Sequence, residues 1–162
     1  MSFLTSADYG LQIRHEIKNL LTDGDDVLLV DAALAAQVEM ESYLRGRYDC
    51  DAIFTASGPV AAVPASGDTP AVEAQPDTRN RLLVMYLVDM ALYHLHSRQN
   101  PRNVPQIRQD RYDQALSWLK MARKGELSVG LPPLPANNED GTPNADTILP
   151  RGGSLPKQKN TY

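Results

Sequence analysis

The chain is short of the residues on which most protein chemistry depends. It has one cysteine, Cys50, and three histidines, His15, His94 and His96, in 162 residues. A single cysteine excludes an internal disulfide and a cysteine-built zinc site. His94 and His96 are two positions apart, which on a helix turns them about 200° from each other, so they cannot share a metal ion. Long apolar runs are missing as well. The longest, Leu82 to Val88, falls far below the roughly 20 residues that a membrane-spanning helix needs. The opening Met1-Ser2-Phe3-Leu4-Thr5 has no basic segment followed by an apolar stretch, which predicts synthesis without a secretory signal, in a reducing, intracellular setting. There is no surplus of positive charge either. With 16 Lys and Arg against 20 Asp and Glu the net charge is −4, which argues against broad nucleic-acid binding through a basic face.

The motifs of catalysis are equally scarce. Asp49-Cys50-Asp51 places a thiol between two carboxylates, which raises its pKa and makes it a poor nucleophile. The two acids alone do not make a calcium loop. Gly152-Gly153-Ser154 follows no strand and is no phosphate cradle, and no serine lies in a nucleophile elbow. The expectation is therefore a protein that is not an enzyme, with no catalytic residue, no metal site and no cofactor.

What is present is helical periodicity. Thr5 and Asp8 have capping-box spacing, and Leu11, Ile13, Ile17, Leu20 and Leu21 follow at largely helical intervals until Thr22-Asp23-Gly24-Asp25 breaks them. A second helix is predicted from Asp25 or Asp26 to about Tyr48, with carboxylates at its positive end. At 100° per residue it carries two apolar stripes. Leu29, Ala33, Ala36, Met40, Tyr43 and Leu44 form one; Val27, Val30, Leu34 and Val38 lie nearly opposite. Both need cover, from the domain's own core, from a flanking loop or from a neighbouring subunit. Val27, Val30, Leu34, Val38, Met40, Tyr43 and Leu44 are accordingly the candidates for subunit packing.

Residues 49–78 are punctuated by Gly58, Pro59, Pro64, Gly67, Pro70 and Pro76, a spacing that excludes a long helix. Ala52-Ile53-Phe54-Thr55 and Val60-Ala61-Ala62-Val63 are read as short strands across a Ser57-Gly58 turn, forming a hairpin or an extended arm. A third helix, from Arg79 to His96, is apolar nearly all round, which marks it as the central buried helix of a bundle. Asp89 on that helix is expected to be a buried structural acid paired with Arg108 or Arg111, and His94 and Arg111 are grouped with it as buried structural polar residues. A fourth helix opens with Asn103 and Gln106 at capping-box spacing and Pro105 in its first turn. It presents Ile107, Tyr112, Ala115, Leu116, Trp118, Leu119 and Ala122 inward and closes at Gly125. Arg98, Arg102, Arg108 and Arg111 are a local basic concentration, read as ion-pair partners by default and as a DNA contact in the alternative.

From Gly125 onward lie five of the ten glycines and six of the twelve prolines. Such a segment cannot bury enough apolar surface to order itself. Leu131, Leu134, Ile148, Leu149 and Leu155 are its apolar points, expected to dock as an extended arm on another protein surface. The predicted organisation is an all-α domain of four helices over residues 1–126, with the 49–78 arm inserted, and a C-terminal arm over 127–162.

Leu4-Thr5-x-x-Asp8, Glu41-Ser42-Tyr43-Leu44-x-Gly46-Arg47-Tyr48, Asp89-Met90-Ala91-Leu92-Tyr93-His94-Leu95 and Arg111-Tyr112-x-x-Ala115-Leu116-x-Trp118-Leu119, in that order, resemble the Mu-like prophage head-tail connector family across about residues 3–127. Pro101-Arg102-Asn103-Val104-Pro105 is similar to versions from phages of Bacteroidetes. The resemblance implies an adaptor ring, typically twelve-fold, in the virion neck and made in the host bacterial cytoplasm. Its partners would be copies of itself, the portal protein, and a neck, stopper or tail protein. DNA would pass through without sequence-specific binding, and no membrane is involved. A DNA-binding packaging accessory and a tail-completion or stopper protein are the alternative readings. The long 49–78 loop and the extended tail depart from the family's usual pattern.

Overall fold

The computed structural model describes residues 3–62, 64 and 71–136, and these are mostly helical. A 3-10 helix, Ser6–Leu11, precedes α1 (His15–Thr22), α2 (Asp26–Leu44), α3 (Cys50–Phe54), α4 (Arg81–Gln99) and α5 (Gln106–Lys124). The chain is all-α, as its periodicity implies.

Local chemistry sets most of the boundaries. The Thr5 backbone N–H and hydroxyl both donate to the Asp8 carboxylate, at 2.7 and 2.8 Å, which is the capping box. Asp25 accepts from the Val27 N–H at 2.8 Å to open α2, and Asn80 accepts from the N–H groups of Leu82 and Leu83 to open α4. Gly125 closes α5 at φ 75°, a left-handed conformation that costs glycine least.

Three long helices make the core. α4 lies against both α2 and α5, and those two also touch each other. Leu83, Leu87, Met90, Ala91 and Leu92 of α4 are fully buried among Ala36, Met40 and Leu44 of α2 and Ala115, Leu119 and Ala122 of α5. Each fully buried large aliphatic side chain contributes about 1.5–3 kcal/mol. α4 is not enclosed on every side, because Leu82 and Met85 near its start remain exposed.

Several expectations need correction. Ala52–Thr55 is not a strand: Asp49 accepts from the Ala52 N–H at 2.9 Å and starts α3, while Phe54 packs edge-on against Phe3 with centroids 5.0 Å apart. In place of the expected pairing of 52–55 with 60–63, Val60 forms an antiparallel bridge with Gln75, with both hydrogen bonds at 3.0 Å; Val63 lies outside the described residues. α2 stops at Leu44 rather than Tyr48, because Arg47 and Asp49 turn to bond elsewhere. The N-terminal unit divides into the 3-10 helix and α1, so that Leu11, Ile17 and Leu20 face outward while Ile13 and Leu21 are buried. α5 begins without a side-chain cap, and Ile107 is exposed rather than inward.

Residues 127–136 pack on the helical body. The Asp49 N–H donates to the Pro132 carbonyl at 3.0 Å and the Leu134 N–H to the Arg47 carbonyl at 2.9 Å, with Tyr48 and Pro133 in an antiparallel bridge between them. Leu131 is buried against the chain's own core. The surface that holds Leu131 and Leu134 is thus the protein itself, not another protein, and the body runs past residue 126.

Candidate assembly surface

α2 carries apolar residues on two sides, and the bundle uses one. Leu29, Ala32, Ala33, Ala36, Met40 and Leu44 face α4 and α5 and are buried. On the other side Val27 is 62% exposed, Val30 42%, Leu34 44% and Val38 66%. Their spacing places them one above another over about three turns. Isolated exposed aliphatics are ordinary on a protein surface, but a continuous stripe marks a surface built to be covered. Neither the core nor the described part of the 49–78 loop covers it.

The other packing candidates divide accordingly. Met40 and Leu44 are fully enclosed in the chain's own core and cannot meet a neighbour, and Tyr43 is half-buried at its edge. Of the arm candidates, Leu131 and Leu134 sit on the body as described, whereas Ile148, Leu149 and Leu155 lie outside the described residues.

Polar side chains beside the core form two networks. In the first, Asp89 is buried on α4 with Arg111 at 3.3 Å and Arg108 at 3.8 Å. Arg108 also donates to the Gln12 backbone carbonyl at 2.8 Å, and Arg111 to the Gln12 side-chain oxygen at 3.1 Å. Burial pushes the Asp89 carboxyl above the usual carboxylate range, and the two arginines only partly counter it. Arg111 is half-exposed rather than buried. Half-buried His94 faces Glu39 of α2 at 3.2 Å, and Glu39 in turn accepts from the Tyr112 hydroxyl at 2.5 Å. Burial, reinforced by that bond, pushes the Tyr112 hydroxyl far above its ordinary range. Tyr112 stacks on Tyr93 at 4.1 Å between centroids.

The second network has no counterpart in the sequence reading. The Arg79 side chain is fully buried and donates to Phe3, Asp8 and Asp77: Nη1 to the Phe3 carbonyl at 2.7 Å, Nη1 and Nη2 to Asp8 at 2.8 Å each, Nε to Asp77 at 2.9 Å. It joins the N-terminal 3-10 helix to the segment leading into α4. The Asp77-x-Arg79 pairing is local and visible in sequence. Asp8, 71 residues away, gives no such signal, because its spacing to Thr5 already has a capping explanation.

Asp89 is committed to two cations, and burial, with Glu41 nearby, pushes the Cys50 thiol up to about 11. Among the described residues no three His, Cys, Asp or Glu side chains gather in a way that could hold a metal ion, and no helix is long and apolar enough to cross a membrane.

Among the described residues the helical body thus leaves the Val27, Val30, Leu34 and Val38 face of α2 uncovered, with Leu11, Ile17 and Leu20 exposed nearer the N-terminus. Residues 75–146 match the family model described as Bacteriophage Mu, Gp36. The match takes in α4 and α5 and supports a Mu-like phage protein with a virion-related role; the Leu4–Asp8 and Glu41–Tyr48 motifs lie outside it. No curated protein and no solved structure matches the chain.

Proposed function

We propose that the protein is a structural component of a phage virion, a head-tail connector that assembles into a closed ring between the portal and the next neck or tail protein. The observation that carries this reading is the uncovered Val27, Val30, Leu34 and Val38 stripe. In a closed head-to-tail ring each interface joins unlike patches, so one subunit needs an apolar face that its own core does not use. The similarity of residues 75–146 to a Mu phage family supports a place in the virion. Twelve-fold symmetry, a position directly beneath the portal and a Bacteroidetes phage origin rest on the sequence resemblance. The net charge of −4 suits a channel through which DNA slides, since a strongly basic wall would hold the phosphates. No catalysis is part of this reading.

The arginine cluster favours this over a DNA-binding accessory. Arg108 and Arg111 are engaged by Asp89 and Gln12, and Arg98 lies 3.8 Å from Asp23. Phosphate contacts would have to break those pairings. A stopper or tail-completion protein differs only in its position along the neck.

The test is oligomeric state, measured by sedimentation and electron microscopy on the purified chain alone and mixed with portal protein. A ring that forms with portal, and is lost in Val30→Asp/Leu34→Asp while the melting curve of the single chain is kept, is the expected result. A chain that never associates with portal but is retained on DNA at low salt would overturn the reading in favour of the accessory.

A further inference from the structure

Glu39 of α2 shows which way two exposed surfaces face. Its carboxylate meets His94 of α4 at 3.2 Å and the Tyr112 hydroxyl of α5. Residues nine positions apart on a helix point in opposite directions, since nine steps of about 100° make roughly two and a half turns. Val30 stands nine positions before Glu39, Met85 nine before His94, and Met121 nine after Tyr112. All three are exposed. The Val27, Val30, Leu34 and Val38 stripe therefore looks out from one side of the bundle, and Met85 and Met121 look out from the other.

The second side is grooved. An open groove of 620 Å³ lies between α4 and α5, with Tyr86, Trp118 and Met121 as its apolar lining and the small Ser117 among them. Tyr86 and Trp118 pack with ring centroids 5.2 Å apart, and Leu82, one turn before Tyr86, is exposed. Along α5 the lining runs from Asp110 to Met121, eleven positions, and the stripe on α2 from Val27 to Val38 is also eleven. Each is about 17 Å long at 1.5 Å per residue. Stripe and groove match in length.

Charge orders the two helices. Exposed Asp26 and Asp31 flank the stripe toward the start of α2, with the capping Asp25 just before them. Toward its end stand Glu41 and Arg45, paired at 3.2 Å, while Glu39 is turned inward. Asp49 and Asp51 follow on α3, where Asp49 caps the helix. The groove has Asp110 and Asp113 at one end, and Lys120 and Lys124 flank Met121 at the other, Lys124 lying 3.6 Å from Glu126. Arg81, at the start of α4, is held by Asp77 at 2.6 Å. A parallel approach would set Asp26 and Asp31 against Asp110 and Asp113. An antiparallel approach sets them against Lys120 and Lys124, and brings the already paired Glu41 and Arg45 toward Asp110 and Asp113.

We propose that a second copy of this chain fills the groove: the outer face of α2 of one subunit lies antiparallel along α5 of the next, its valine and leucine stripe against Tyr86, Trp118 and Met121. The two surfaces are unlike and face opposite ways, so each subunit offers one to each neighbour, as a head-to-tail assembly requires. This assignment rests on the proposed ring and names the other half of its contact.

The experiment uses the full chain, with and without portal protein. Light chain with a benzophenone photocrosslinker at position 34 is mixed with an equal amount of isotopically heavy chain, illuminated and mapped by mass spectrometry. Crosslinks from position 34 to residues 114–121 of the other chain are expected. Asp26→Lys/Asp31→Lys and Lys120→Asp/Lys124→Asp should each lose the assembly while keeping the parent's melting curve. An equal mixture of the two variants should restore it, because every contact in an alternating assembly then joins opposite charges. Crosslinks confined to other residues or to single chains would overturn the contact, as would assembly untouched by both reversals or a mixture that is not rescued. Rings whose crosslinks lie elsewhere would remove this contact and leave the connector reading standing. The expected crosslinks in open filaments, or in assemblies that ignore portal, would keep the contact and remove the connector.

Discussion

Arg79 and Asp8 are joined by two parallel hydrogen bonds of 2.8 Å across 71 residues of sequence, with the Arg79 side chain fully buried and Asp8 nearly so. The planar guanidinium matches the carboxylate fork, and the remaining donors reach Asp77 and the Phe3 carbonyl. Removing Arg79 leaves Asp8 without its cation in a poorly hydrated site, while Asp77 keeps Arg81 at 2.6 Å. Arg79→Ala is expected to cost about 3–5 kcal/mol, and Arg79→Lys to recover only part of it, since an ammonium cannot bridge both acids with the same geometry. Urea denaturation measures both.

The same network sets an acid limit. Burial alone would raise the Asp8 carboxyl, but hydrogen bonds from Arg79 and Thr5 outweigh it and hold the group below its ordinary range; the Arg79 hydrogen bonds hold Asp77 lower still. For a lowered folded-state pKa the unfolded chain binds more protons in acid, so this stability is present above about pH 4 and is lost as pH falls through the folded values. The slope of stability against pH below 4 should flatten in Arg79→Ala. An unchanged slope would show that other carboxylates set the limit.

Asp89 has the opposite sign. Its raised pKa means that the folded state holds the proton more tightly, so its ionisation works against folding as pH rises through the folded value. Asp89→Asn, which keeps an acceptor oxygen toward Arg111 but no charge, should cost less than Asp89→Ala at neutral pH. Asp89→Ala should cost about 2–3 kcal/mol, because Arg108, largely buried, loses its acid. Equal melting temperatures for Asp89→Ala and the parent would refute a structural role for the group.

Tyr9 is buried with a hydroxyl that has no hydrogen-bond partner among the described residues, and burial, with Asp8 nearby, pushes its pKa far above the ordinary range. An unmet buried donor costs about 1–3 kcal/mol. Tyr9→Phe is expected to leave stability unchanged or raise it by about 1 kcal/mol, read as a rise in melting temperature. A loss would reveal a partner for the hydroxyl.

Truncation should distinguish the two parts of the C-terminal region. Removal of 137–162 is expected to leave the thermal transition of the body in place. Removal of 127–162 should lower it, since it uncovers the Leu131 site and frees the Asp49 N–H and the Arg47 carbonyl. Equal transitions for the two would show that the 131–134 pairing contributes nothing.

The features legible in the sequence were those with local causes. The Thr5–Asp8 box, the Asp25 cap and the Gly125 stop involve neighbours a few residues apart. Asp89 could be assigned to Arg108 and Arg111 because an acid on an apolar helix requires cations nearby. Ala52–Thr55 was ambiguous by composition, and its state depends on the Asp49 cap and on Phe3, far away in sequence. The two stripes of α2 were visible, but which one the body would leave uncovered depended on how α4 and α5 pack. Arg79 was missed because two of its three partners, Phe3 and Asp8, come from the far N-terminal turn.

Long-range ties also govern the order in which the chain can close as it is synthesised. Phe3 and Asp8 emerge first yet wait for Arg79, and Arg47 and Asp49 wait for residues 132–134. The N-terminal turn therefore gains its anchor only after half the chain has been made, and the end of α2 only after α5 is complete. Contacts of such sequence separation form late because their loops must close first. A nascent subunit thus keeps the face beneath the first tie open until Arg79 has left the ribosome, and the face beneath the second until residues 132–134 have followed.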